Sequence, residues 1–302
     1  MSSGASASMK MVKSILRLTG SPLKGRLYTR WRDAVQKRAY PSHARVPHAF
    51  RQQFTVKESS INGRTVISLA PKQGKRPIHI IYTHGGAYVE TFSALHWDII
   101  RRLMEATGAG VTIPLYPLAP EHTYKEAFDM LAMVYKQVLK EHADDAIALC
   151  GDSAGSGLAL AQALYYRDNG LRLPDHVILF SPWLDVSMSN PGAAEVEARD
   201  ALLSIPALVQ SGQWWAGGDD ARNPLLSPLF GDLKGIPPIE VFQGTDDVLM
   251  PDARLLQEKV LQAGGSIHYH EYTGAFHVFV LASFTPEARH AFSQVGKAFS
   301  SR

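Results

Sequence analysis

Residues 146–155 read AIALCGDSAG, five apolar residues running into a turn built on Gly151, Ser153 and Gly155. A short continuous apolar run fits a strand buried on both faces of a parallel sheet. Residues 154–167 continue as a helix. A serine on a sharp bend between strand and helix lifts its hydroxyl above the carboxyl ends of the strands. The helix that starts there aims its first peptide N–H groups at the same space. G-x-S-x-G arises often by chance, and the strand–turn–helix setting is what gives it meaning. Ser153 is therefore the candidate nucleophile, against the plainer reading of a glycine-rich turn that binds an anion.

Outward from this turn, apolar strands are expected at 79–83, 110–115, 176–180, 239–243 and 266–272. Helices are expected at 94–107, 124–141, 252–263 and 285–299. In the helix at 124–141, Ala127, Leu131, Val134, Tyr135 and Leu139 fall on one face. Segments 53–59 and 64–70 flank Asn62-Gly63, a hairpin signal. This alternation predicts an α/β fold: a mostly parallel sheet with an antiparallel edge hairpin and helices on both faces. Residues 186–236 are too long for a simple crossover and read as an insertion over the active edge. Residues 1–9 read as a frayed tail, and 10–40 as one or two short helices. The expected organisation is a helical cap at 1–50 and a catalytic domain at 51–302 that carries the insertion.

Composition fits this. The chain has 302 residues, 45% hydrophobic and 20% charged, enough for a large core. A single cysteine, Cys150, excludes an intramolecular disulfide and thiolate-based zinc or iron–sulfur sites. Residues 1–51 hold eleven Lys or Arg against one acid, Asp33. That segment is expected to dock on the acidic body rather than on nucleic acid or lipid. No stretch is apolar enough for a membrane span or a signal-peptide core, so a cytoplasmic protein without stable membrane insertion is expected.

Strand 79–83 leads into His84-Gly85-Gly86-Ala87. Acyl transfer leaves negative charge on the former carbonyl oxygen, and losing one N–H donor aimed at it costs about 2.7–4 kcal/mol. Gly85, Gly86 and Ala154 are the expected donors, with His84 organising the loop. Among twelve histidines, His277 stands between the last strand and the last helix, where a loop reaches Ser153. The orienting acid should follow the strand before the last, in Gly244-Thr245-Asp246-Asp247. Asp247 is the first choice and Asp246 the second; Asp252 looks like a helix cap. His268 and His270 share a strand face but lack an evident third metal ligand. The order Ser153, Asp247, His277 is that of α/β-hydrolases.

Together these motifs resemble the hormone-sensitive-lipase-like family of esterases. Similar stretches are Tyr116-Pro117-Leu118-Ala119-Pro120-Glu121-His122, with Pro117 in place of the usual Arg, Ser181-Pro182-Trp183-Leu184-Asp185, and 223–229. The resemblance runs from about residue 78 to the end. Ala87 replaces the third glycine of H-G-G-G, and residues 1–50, a mobile helical cap in the family, match loosely. The resemblance implies a serine carboxylesterase that needs no cofactor or metal and works through an acyl-enzyme.

Tyr88, Trp214, Trp215 and Phe279 are the expected pocket residues. A small cap implies a bounded pocket and esters of short to medium acyl length. Asp152 and Glu121 are expected to order loops. A lactonase, amidase or carbohydrate deacetylase would use the same triad, and a catalytically dead ligand receptor is the other alternative. The expected partner is a small-molecule ester, with no nucleic acid. The edge strand 266–272 is the candidate contact for a homodimer.

Overall fold

The strand that ends at the candidate nucleophile lies mid-sheet. A computed structural model of the chain describes residues 4–37 and 41–299. Eight strands form one sheet: β1 (Phe54–Ile61), β2 (Arg64–Pro71), β3 (Ile78–Thr83), β4 (Gly110–Pro114), β5 (Ala146–Asp152), β6 (His176–Phe180), β7 (Ile239–Gly244) and β8 (Ile267–Tyr272). Their order is β1-β2-β4-β3-β5-β6-β7-β8. The β1–β2 and β2–β4 pairs are antiparallel and the rest parallel. Asn62 and Gly63 both take positive φ, which the tight hairpin between β1 and β2 requires.

The apolar alternation builds two core layers, one on each sheet face. Helix α4 (His96–Thr107) and α10 (Pro286–Ala298) cover one face. Helices α5 (Tyr124–Glu141), α6 (Ala154–Asp168) and α9 (Met250–Gln262) cover the other. The fully buried β3 and β5 explain why those segments read as unbroken apolar runs. Thr123 and Glu126 form a reciprocal capping box at the start of α5, which fixes that helix where the periodicity places it.

The amino-terminal segment forms α1 (Ala7–Thr19), α2 (Gly25–Lys37) and a short α3 (His48–Gln53). Six residues are too few for periodicity to reveal α3. The frayed tail expected at 1–9 is corrected for residues 4–9; residues 1–3 lie outside the described residues. The Ser6 hydroxyl caps α1 by accepting the Met9 N–H at 3.1 Å, the Ser6 N–H donates to Glu287 at 2.7 Å, and Met9 is fully buried. Much of the basic charge here turns inward. Lys13 pairs with Asp246, Arg17 donates to the Arg199 carbonyl at 2.9 Å, and Lys24 donates to the Asp200 carbonyl.

Residues 186–236, the expected insertion, carry α7 (Gly192–Glu197) and α8 (Ile205–Ala216). They meet the amino-terminal segment through Ser21 donating to Leu202, Ser204 donating to Leu23, and the tilted Trp31–Trp214 ring pair at 6.0 Å.

Candidate active site

Ser153 sits between β5 and α6 with φ 53° and ψ −122°, a conformation that costs a non-glycine residue of order 1–3 kcal/mol. The bend fits only because its neighbours lack side chains. A Cβ on Gly155 would lie 2.0 Å from the Thr83 carbonyl oxygen, and one on Gly151 would lie 2.4 Å from the Gly155 carbonyl.

His277 Nε2 is 2.8 Å from Ser153 Oγ, and His277 Nδ1 is 2.9 Å from Asp247 Oδ2. All three residues are buried. A carboxylate only accepts, so Nδ1 carries the proton and Nε2 is left to accept from the serine hydroxyl. Burial pulls the imidazole pKa down, but the Asp247 charge and hydrogen bond outweigh it, with help from Asp200 and Asp152, and the net displacement is upward. The arrangement can therefore take a proton from Ser153 and hold it beside a buried carboxylate.

The supporting loops are cross-tied. Val278 N–H donates to Ser181 Oγ at 2.9 Å, Asp246 N–H to the Ala275 carbonyl at 3.0 Å, and Leu249 N–H to Asp247 Oδ1 at 3.0 Å. Asp246, the second choice for the acid, faces Lys13 and Arg199 instead. Asp252 is not a cap: it lies inside the first turn of α9 and accepts from Asn190 at 2.8 Å. His268 and His270 both bond to the Glu240 carboxylate, at 2.6 and 2.9 Å.

The donor set needs one correction. The Gly85 N–H is spent on Asp152 Oδ1 at 2.8 Å, so it is not an oxyanion donor. Among the described residues, the N–H groups of Gly86, Ala87 and Ala154 have no hydrogen-bond partner. Asp152 anchors the loop from below, also accepting from Tyr82 at 2.5 Å with His96 Nε2 at 3.6 Å. Burial pushes the Asp152 pKa up, but His96 and these hydrogen bonds more than offset it. His84 stacks on Tyr116 at 4.5 Å, and burial lowers its pKa to about 3, which leaves it neutral.

Ser153 and His277 open into a cavity of about 420 Å³ whose walls include Leu23, Trp31, Leu202, Leu203, Leu208 and Leu281. None of the four expected pocket residues lines it. Tyr88 stacks on Trp215 at 4.3 Å and on Trp183 at 5.4 Å, in the core beneath the loop. Phe279 is buried against Tyr272 at 4.5 Å, and Trp214 packs behind Trp31. Adjacency to a motif was a poor guide, because Tyr88 has positive φ and its ring leaves the loop on the core side. The leucines of 202–208 were the better signal, being apolar residues in a segment that covers the sheet edge.

Sequence reading also missed Asp200. Its Oδ1 accepts from Leu202 and Leu203 at 2.7 and 2.9 Å, and its Oδ2 from Val248 at 2.8 Å. It stands in an irregular turn with no motif to mark it. Of metal-compatible groups among the described residues, His79, His142 and Asp145 bring ligand atoms within 4.8 Å of one another. His79 lies at the opposite end of β3 from the His84 loop, and Asp145 is already held by His142 at 3.0 Å and Lys75 at 3.2 Å.

Residues 80–281 match a family model described as alpha/beta hydrolase fold. The chain is 36% identical over 222 residues to an esterase of Acinetobacter venetianus, covering 72% of this chain and 73% of that one. It is 33% identical over 219 residues to an acetyl-hydrolase of Streptomyces hygroscopicus, with the same coverages of 72% and 73%. A crystal structure of an esterase from the bacterial hormone-sensitive lipase family matches at a TM-score of 0.81 and 26% identity, over 98% of each chain.

Proposed function

The chain belongs to the alpha/beta-hydrolase family, among its hormone-sensitive-lipase-like esterases, and is a carboxylic ester hydrolase; from that premise we propose that Ser153, His277 and Asp247 perform the hydrolysis. The observation that carries this reading is the imidazole of His277, within 2.8 Å of a hydroxyl on one side and 2.9 Å of a carboxylate on the other.

Ser153 Oγ attacks the ester carbonyl carbon while His277 Nε2 takes its proton. Charge on the carbonyl oxygen is met by the N–H groups of Gly86, Ala87 and Ala154. As the tetrahedral adduct collapses, His277 returns the proton to the leaving alkoxide and the acyl group stays on Ser153. Water, deprotonated by His277, attacks the acyl-enzyme, and Ser153 regains its proton as the acid leaves. Asp247 holds the Nδ1 proton throughout and offsets the imidazolium charge.

The substrate class is a short- to medium-chain ester. The cavity is largely apolar, about 420 Å³, and walled in part by Leu202, Leu203, Leu208 and Trp31. The contacts between residues 4–37 and 186–236 support reading the two segments together as a cap. The free Cys150, buried in β5, fits a reducing cytoplasm. Strand β8 ends the sheet, so its outer edge remains the proposed homodimer contact.

A panel of p-nitrophenyl esters tests the reading. We expect a burst of one nitrophenolate per enzyme from the acetyl ester, a rate maximum at short to medium chains, and a loss of about 10⁴-fold or more in kcat for Ser153→Ala or His277→Ala. No burst together with wild-type turnover in Ser153→Ala would overturn the assignment. A maximum at the palmitoyl ester would overturn the chain-length reading.

A further inference from the structure

Helix α1 is apolar on two faces. Its inner face, with Met9, Val12 and Leu16, packs on the core. Its outer face carries Met11, Ile15 and Leu18, which are 55%, 51% and 87% exposed. Spacings of four and three place these three on one stripe. Lys10 is exposed along one side of that stripe, as is Arg17, whose guanidinium also donates to the Arg199 carbonyl at 2.9 Å, and α2 adds exposed Leu27 and Arg30. Residues 1–32 hold seven Lys or Arg and no acid.

A helix fastened to its own protein by Ser6–Glu287 and Lys13–Asp246 has no need of a second apolar stripe for folding. From this stripe and the cations beside it, we propose that the outer face of α1 docks on an anionic phospholipid surface. Apolar side chains enter the headgroup boundary while adjacent cations meet lipid phosphates, a combination that holds a protein at an interface without spanning it. No helix among the described residues is long and apolar enough to cross a membrane. A second copy of the chain suits this face less well. Two-fold pairing through the stripe would bring Lys10 and Arg17 of one copy toward the same cations of the other. Lipid phosphates complement them.

The turn after α1 supplies Ser21, Pro22 and Leu23 to the cavity that holds Ser153 and His277. Docking through α1 would therefore hold one wall of that cavity close to the bilayer. That consequence rests on the esterase reading. The docking does not, because it is measured without substrate.

The test is co-sedimentation of the full chain with vesicles of phosphatidylcholine alone or with about 30 mol% phosphatidylglycerol. We expect binding to the anionic vesicles only, weakened when salt is raised from about 0.1 M to about 1 M. The variant Met11→Ser/Ile15→Ser/Leu18→Ser, altered only at exposed positions, should bind about tenfold more weakly while hydrolysing a water-soluble acetyl ester at the wild-type rate. Absence of binding overturns the proposal. So does equal binding to neutral vesicles, or a triple variant that sediments like the wild type. Concentration-dependent self-association lost in the triple variant, without vesicle binding, would assign the face to a second copy instead.

Discussion

Asp200 Oδ2 accepts the backbone N–H of Val248 at 2.8 Å, so a side chain from the insertion fixes the loop that carries Asp247. The same carboxylate holds the backbone of Leu202 and Leu203, which wall the cavity. One buried acid thus links the cavity wall to the loop whose carboxylate bonds His277 Nδ1.

Asp200 should act as a positioning residue. Its charge is one of the influences that raise the His277 pKa. A base must be neutral to accept a proton, so activity falls as pH drops through that raised value. Asp200→Asn removes the charge and should move the acidic limb of the kcat/KM profile to lower pH. The other charges facing His277, Asp247 and Asp152, remain in place. Losing the acceptor for Val248 should also cost about 1–3 kcal/mol of stability. An unaltered acidic limb in the folded variant would refute the electrostatic part.

Asp152 should matter through the oxyanion loop rather than by touching substrate. Asp152→Ala leaves the Gly85 N–H and the Tyr82 hydroxyl without their acceptor. Misplaced donors should lower kcat by about 10²-fold, comparable to losing one of them, with KM little changed. Wild-type kcat in this variant would show that the loop holds itself.

Ala87 has φ 52°, where a β-carbon costs roughly 1–2 kcal/mol. Ala87→Gly should therefore stabilise the protein by about 1 kcal/mol, after the extra freedom glycine gives the unfolded chain. For a chain of this size that is a rise of about 2 °C in Tm, read by calorimetry. A fall in Tm would mean that the methyl group contributes packing that outweighs the strain.

Leu202 offers the most direct control of acyl length, being a partly buried wall residue on the insertion. Leu202→Trp should shift preference toward acetyl over octanoyl esters by about tenfold or more in kcat/KM ratio. An unchanged ratio would put the acyl chain elsewhere in the cavity.

The fold was legible because the strands on either side of Ser153 are buried on both faces and therefore apolar throughout, while α5 shows its single buried stripe. The order Ser153, Asp247, His277 could be read because each residue follows its own strand in a short loop. The pocket was not legible. Tyr88 and Phe279 follow motif residues in sequence, yet their rings turn into the core, where stacking on Trp215 and Tyr272 outweighs exposure to the cavity. Nor did spacing reveal that Gly85 serves Asp152, because donor assignment depends on where a carboxylate 67 residues away in sequence comes to rest. Asp200 and the capped start of α1 were hidden for the same reason. Their partners, Val248 and Glu287, are distant in the chain and belong to no pattern.

The central claim is that the Ser153 hydroxyl is made nucleophilic by His277. Labelling with a fluorophosphonate, followed by peptide mass spectrometry, tests it most directly. A single adduct on the peptide containing Ser153 is predicted, absent in Ser153→Ala and formed about 10³-fold more slowly or worse in His277→Ala. An adduct on another residue, or labelling of Ser153 at the wild-type rate without the imidazole, would contradict the account.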